Sequence, residues 1–186
     1  KNKDLYEGVR IHAEVLKHGL HMDDPFIACT LIHMYAKCGA LNKAEQVLEE
    51  LSVQDVVAWN ALISGYAQQG QGYEAIHCFE RMQREGVSPD EVTYTCLLNA
   101  CGISGSIDKG TQIHDEILHL GLLDKNIILG NALLDMYAKC GVLDKAWKVL
   151  RELPARNVVT WNALISGYLH HEKSHEALKC MVYMQD

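Results

Sequence analysis

The octapeptide WNALISGY runs from Trp59 to Tyr66 and returns letter for letter from Trp161 to Tyr168, an interval of 102 residues. A catalytic motif is needed once, whereas a unit that packs against copies of itself is needed many times. The hexapeptide MYAKCG obeys the same interval, at Met34 to Gly39 and again at Met136 to Gly141. Ile11 and His12 fall on Ile113 and His114, and Gly19 and Leu20 on Gly121 and Leu122. Roughly two-fifths of the overlaid positions are identical without a gap, which marks an internal repeat.

Shorter units lie inside the long interval. Val56 to Asp90 spans 35 residues, Glu91 to Asn126 spans 36 and Ile127 to Asn157 spans 31, and the three together fill it. Pro25 to Asp55 is another unit of 31 residues. Residues 1–24 read as the tail of a longer unit, and residues 158–186 as a unit of the 35-residue type that stops short. The chain is expected to be a slice of an array.

Each unit reads as two antiparallel helices. In the Val56 unit Trp59, Leu62, Ile63 and Tyr66 recur at i, i+3, i+4 and i+7, the stripe of an amphipathic first helix. Gly70 and Gly72 are expected to break it. Ala75, Phe79 and Met82 form a second stripe, and Gly86, Pro89 and Asp90 close the unit. One helix pair cannot bury its apolar stripe alone, so neighbouring pairs are expected to stack. The expected fold is all-α, an α-solenoid superhelix of stacked antiparallel helix-turn-helix repeats.

Composition narrows the function classes. At 48% hydrophobic and 22% charged, the chain has the content of a folded globular protein. No apolar run approaches the roughly 20 residues that span a bilayer, so no membrane partner is expected. The N-terminal KNKDLYEG has neither a signal-peptide core nor a transit-peptide composition. A net charge of −7 argues against non-specific binding to nucleic acid, though not against a reader of bases whose charges are segregated between faces. The seven cysteines contain no CxxC pair and read as buried free thiols of a reducing compartment.

The stretches NVVTWNALISGY, VSPDEVTYTCLLNAC and LGNALLDMYAKCG with the following DKAWKVL resemble pentatricopeptide repeats. The cycle of 35, 36 and 31 residues is similar to the P, L and S units of the plant PLS subclass. In that frame the order is partial L (1–24), S (25–55), P (56–90), L (91–126), S (127–157) and partial P (158–186). The resemblance implies sequence-specific binding of single-stranded organellar RNA, in a mitochondrion or chloroplast. It further implies site recognition for C-to-U RNA editing, with any deaminase domain lying outside these residues and with no catalytic residue, metal or cofactor within them. One base is read per unit, by the fifth residue of the first helix together with the last residue of the unit. The implied pairs are Cys29/Asp55, Asn60/Asp90, Thr95/Asn126 and Asn131/Asn157, with Asp24 ending the partial L unit and Asn162 lacking its partner. Small apolar residues at the second position, here Phe26, Val57, Val92, Ile128 and Val159, would hold each base between them.

The residue types suit that chemistry. An Asn carboxamide offers a donor and an acceptor to a pyrimidine edge. Uracil N3 carries a proton and cytosine N3 does not, so an Asp partner favours U and an Asn partner favours C. A shorter Thr leaves room for a purine, and the family's usage pairs Thr/Asn with A. The expected word is 5′-U-A-C-3′ followed by a pyrimidine at Asn162. Cys29/Asp55 matches no common pairing, and a Glu91 unit ending at Lys125 instead would leave Thr95 unassigned. The alternative is that Asn60, Asn131 and Asn162 merely face solvent or cap helices locally.

Two motifs point elsewhere. His171 to His175 spells HExxH, which binds zinc only on one continuous helix; the repeat frame lays it across the break between two. His12-Ala13-Glu14 and His114-Asp115-Glu116 spell HxE, half of the zinc-deaminase signature, but no P-C-x-x-C accompanies them. A protein-binding scaffold of tetratricopeptide type is the runner-up, disfavoured because Gly65 lies three residues after Leu62 and the unit lengths cycle. A metalloenzyme ranks third. Small organellar editing-factor proteins are further partners that the resemblance implies. Exposed apolar stripes on incomplete end units suggest self-association.

Overall fold

Both copies of WNALISGY lie in helices whose beginnings are set by the residue just before them. In the computed structural model, which describes residues 2–18, 24–124 and 126–184, Asp55 caps α4 (Val56–Gln68) and Asn157 caps α10 (Val158–His170). Gly19, Leu20 and Lys125, which entered the sequence argument, lie outside the described residues. The other helices among them are α1 (Asn2–Lys17), α2 (Pro25–Lys37), α3 (Leu41–Glu49), α5 (Gly72–Arg84), α6 (Glu91–Ser104), α7 (Ile107–His119), α8 (Ile127–Lys139), α9 (Leu143–Glu152) and α11 (Ser174–Tyr183). The secondary structure of the described residues is all helix and turn, and none of the helices is long and apolar enough to cross a membrane.

The chain divides into two compact units, Lys1–Thr93 and Tyr94–Asp186. Within the first, α2 pairs with α3 and α4 with α5, and α4 also lies against α2. Within the second, α8 pairs with α9, α10 with α11, and α10 lies against α8. In each unit two first helices, α2 and α4 or α8 and α10, are therefore neighbours, which sets their equivalent positions side by side.

The two repeated motifs are the two sides of that contact. A Cβ added to Gly65 of WNALISGY would stand 2.6 Å from the Ala36 methyl of MYAKCG, and one at Gly167 would stand 2.5 Å from that of Ala138. Only glycine permits this approach. The expected stripes are buried: Trp59, Leu62, Ile63, Ala75, Phe79 and Met82 are at most 2% exposed and Tyr66 is 7% exposed. Arg81 lies over the Trp59 ring, 5.4 Å from its centroid, and bridges Glu45 and Glu49 at 2.7 and 2.9 Å.

Gly70 alone ends α4. It takes a left-handed φ of +77°, and Gly70 N–H and Gln71 N–H close onto the Ala67 and Tyr66 carbonyls. Gly72, expected to share the break, is instead the first residue of α5, where no positive φ is needed. The equivalent of Gly70 in the second copy is Glu172, which adopts a φ of +59° without glycine's freedom.

The zinc-like motif is dispersed by this turn. His171 ends α10, Glu172 is the left-handed residue and His175 belongs to α11. The Nε2 of His171 is bonded to the Ala138 carbonyl at 3.0 Å, the role that Gln69 performs on Ala36 at the same distance. The HxE histidines are packing residues. His12 and His114 place Nδ1 2.8 and 2.9 Å from the hydroxyls of Tyr35 and Tyr137, the tyrosines of MYAKCG, edge-on to their rings. The cysteines are free thiols, and burial, the largest influence, pushes the thiols of Cys78 and Cys101 up to about 12.

Candidate nucleic-acid interface

The last residue of each repeat caps the first helix of the next. Asp24 Oδ1 accepts from Phe26 N–H at 2.9 Å, Asp55 Oδ1 from Ala58 N–H at 2.8 Å and Asp90 Oδ1 from Thr93 N–H at 2.8 Å. Asn126 Oδ1 accepts from Ile128 and Leu129, and Asn157 Oδ1 from Thr160 at 3.0 Å. The capping was legible, since Asp or Asn ahead of an apolar run is an N-cap signature.

The second positions carry apolar side chains that the fold leaves in solvent. Phe26 is 79% exposed, Val57 53%, Val92 56%, Ile128 66% and Val159 59%. Ala58 and Trp59 after Val57, and Thr93 and Tyr94 after Val92, are by contrast buried.

The fifth positions lie beside these residues in varied settings. Cys29 places its sulfur 4.0 Å from the Val57 carbonyl, and burial, followed by the Asp55 carboxylate, raises its thiol. Asn60 is only 7% exposed, because Asp90 and Thr93 close over it. Its Nδ2 donates to Asp90 Oδ1 at 2.9 Å, and its Oδ1 accepts from the Thr93 hydroxyl at 2.7 Å. Asn131 is half-buried, and its Oδ1 accepts from the Thr160 hydroxyl at 2.6 Å. Thr95 is half-buried and Asn162 exposed. Burial acts most strongly on Asp90 and pushes its carboxyl upward. The hydrogen bonds from the Thr93 backbone, the Asn60 and Thr93 side chains and the Val92 backbone outweigh it, so the carboxyl lies below the ordinary value.

In the second compact unit an open groove gathers five of the expected residues: Thr95, Ile128, Asn131, Val159 and Asn162. Asn99, Asp135 and Ser166 line it as well, each one helical turn beyond a fifth-position residue. The i, i+4 spacing from Thr95, Asn131 and Asn162 would have found them. Asp135 is held by Lys139 at 2.6 Å, so its charge is partly offset. In the first compact unit Phe26, Val57 and Val92 are exposed in the same register, with Cys29 and Asn60 on the same first helices. Apolar walls alternating with amide and hydroxyl edges suit a planar, hydrogen-bonding ligand such as a nucleobase.

Comparison with known proteins agrees with the repeat reading. A model of the PPR repeat family matches residues 54–102, and a PPR repeat model matches residues 26–56, 92–122, 131–158 and 159–186. The chain is 39% identical over 176 residues to a mitochondrial pentatricopeptide repeat-containing protein of Arabidopsis thaliana, covering 95% of this chain and 17% of that protein. It is 38% identical over 181 residues to a chloroplastic one of the same plant, covering 97% and 29%. The chain thus spans well under half the length of these relatives. The crystal structure of the pentatricopeptide repeat protein PPR10 from maize shares the fold, with a TM-score of 0.70 at 23% identity over 97% of this chain and 26% of that one. PPR10 in complex with an 18-nt psaJ RNA element gives a TM-score of 0.71 at 24% identity, over 94% of this chain and 27% of that one. With its α-solenoid repeats, its paired motifs and four-fifths of its positions matched by the repeat models, the chain belongs to the pentatricopeptide repeat family.

Proposed function

We propose that this chain reads single-stranded RNA, one base per repeat, along the first helices of its repeats. The observation that carries the reading is that in each compact unit apolar second positions stand in solvent beside the fifth positions, Phe26, Val57 and Val92 in the first and Ile128 and Val159 in the second. Within a unit, exposed apolar residues spaced by one repeat would flank slots whose walls stack on base faces, while Asn60, Thr95, Asn131 and Asn162 would meet base edges. That PPR10 has been crystallised with an RNA element supports the ligand class.

The assignment is U for Asn60/Asp90, A for Thr95/Asn126, C for Asn131/Asn157 and a pyrimidine for Asn162. Cys29/Asp55 has no assigned base. The mitochondrial and chloroplastic relatives support an organellar setting, and the PLS-type cycle of unit lengths supports site recognition for C-to-U editing. The reading also includes association with another copy of this chain or with a small organellar editing-factor protein. Fluorescence anisotropy with short labelled RNAs tests the central reading. RNA containing 5′-UACC-3′ is expected to bind at least tenfold more tightly than its complement, and equal affinity would sink the assignment. Light scattering over a concentration series tests association, and a monodisperse monomer throughout counts against it.

A further inference from the structure

Two threonines outside the base-reading set are built into it. Thr93 is the third residue of α6 and Thr160 the third residue of α10, and both are fully buried. Each hydroxyl donates to the carboxamide oxygen of the preceding repeat's fifth residue: Thr93 to Asn60 at 2.7 Å, Thr160 to Asn131 at 2.6 Å. Each is also bound to the capping residue, since the Thr93 hydroxyl accepts from Asp90 N–H at 3.1 Å and the Thr160 hydroxyl accepts from Asn157 N–H at 3.1 Å.

The third position varies with the fifth position it meets. Where the preceding repeat carries an amide, Asn60 or Asn131, the next third residue is Thr. Where it carries Cys29 or Thr95, the next third residue is Ala58 or Leu129. A hydroxyl is present where there is a carboxamide to hold.

We propose that Thr93 and Thr160 are positioning residues that set base specificity by fixing the edge that Asn60 and Asn131 present. A carboxamide turned half over exchanges its donor and acceptor at almost no steric cost, so an unanchored Asn discriminates bases poorly. At Asn60 the Asp90 carboxylate and the Thr93 hydroxyl, itself 2.9 Å from Asp90 Oδ1, set the polarity together. The carboxylate only accepts, so it takes the Nδ2 end, and the Oδ1 end faces the Thr93 hydroxyl. One Nδ2 proton then remains to donate to a base acceptor. At Asn131 the Thr160 hydroxyl stands between Asn131 Oδ1 and Asn157 Oδ1, at 2.6 and 3.0 Å, and joins the two reading residues. The inference rests on the RNA reading and adds a cross-repeat contact to it: base choice by one repeat depends on a residue of the next.

The test uses the whole chain with Thr93→Val and Thr160→Val, which keep the branched shape and remove the hydroxyl, and Thr93→Ser and Thr160→Ser, which keep the hydroxyl. Affinities are measured for UACC-containing RNA with each base substituted at the first and third positions. Thr93→Val is expected to cut the preference for U at the first position about five- to tenfold, the worth of one net hydrogen bond, and to leave the third position unchanged. Thr160→Val is expected to do the converse, and the Ser variants to restore both preferences. A merely structural role would weaken binding to every RNA alike, and that outcome overturns the proposal, as does a Val variant with its preferences intact. Wild-type chain with no base preference overturns the RNA reading itself, and the specificity role with it. In RNA-free protein the Asn60 side-chain NH2 resonances should move in Thr93→Val and return in Thr93→Ser. Unchanged resonances in the Val variant refute the anchoring.

Discussion

At the scale of single residues, Asp90 joins helix capping to the placement of Asn60. It caps α6 through Thr93 N–H and holds the Asn60 amide. Because its folded-state pKa is depressed, its contribution is full above the unfolded value near 3.9 and is lost as pH falls through the lower folded value. Asp90→Asn is therefore expected to lower stability at neutral pH and to flatten the acid limb of a denaturation-versus-pH curve. His114 adds a step at higher pH. Burial, its largest influence, lowers its pKa, so stability attributable to it declines as pH falls from about 6.5 through the folded value. Replacing the ring with Phe should shrink the loss of stability between pH 7 and pH 5, and a melting series in both proteins checks this. Glu172 is a third such residue, because its left-handed φ of +59° falls where the first copy uses Gly70. Glu172→Gly is expected to raise stability by about 0.5–1 kcal/mol.

At the scale of elements, the contact between neighbouring first helices is exacting. Gly65 against Ala36 and Gly167 against Ala138 leave no room for a methyl group. Gly65→Ala is expected to cost about 1–3 kcal/mol, the usual range for overpacking, measurable by urea denaturation. Gly70→Ala would instead meet no atom within 4 Å and act through backbone strain alone, so the two substitutions separate the two uses of glycine. The stripe of Trp59, Leu62, Ile63 and Tyr66 was legible because helical period is a local property. The Gly65–Ala36 contact was not, although both residues sit in the repeated motifs. Periodicity tells which face is buried and says nothing of how closely another helix approaches it.

At the scale of the whole molecule, the charge of −7 bears on how RNA would be held. A word of four bases offers roughly four phosphates, and single strands contribute a slope of about −0.7 per neutralised phosphate. Binding should therefore weaken with salt at a slope no steeper than about −3 in log–log form, and a markedly steeper titration would point to phosphate contacts beyond the reading slots. The interval of 102 residues and the helical stripes were both determined by the sequence alone, since each is a pattern along the chain. Which polar residues meet was decided only by tertiary structure. Asn60 finds Asp90 thirty residues away and Thr93 thirty-three away, and a turn between helices separates His171 from His175. WNALISGY announced a repeated helix by its own letters. Its asparagine in the first copy acquired a buried hydroxyl partner, Thr93, because burial depends on what the fold brings against a side chain.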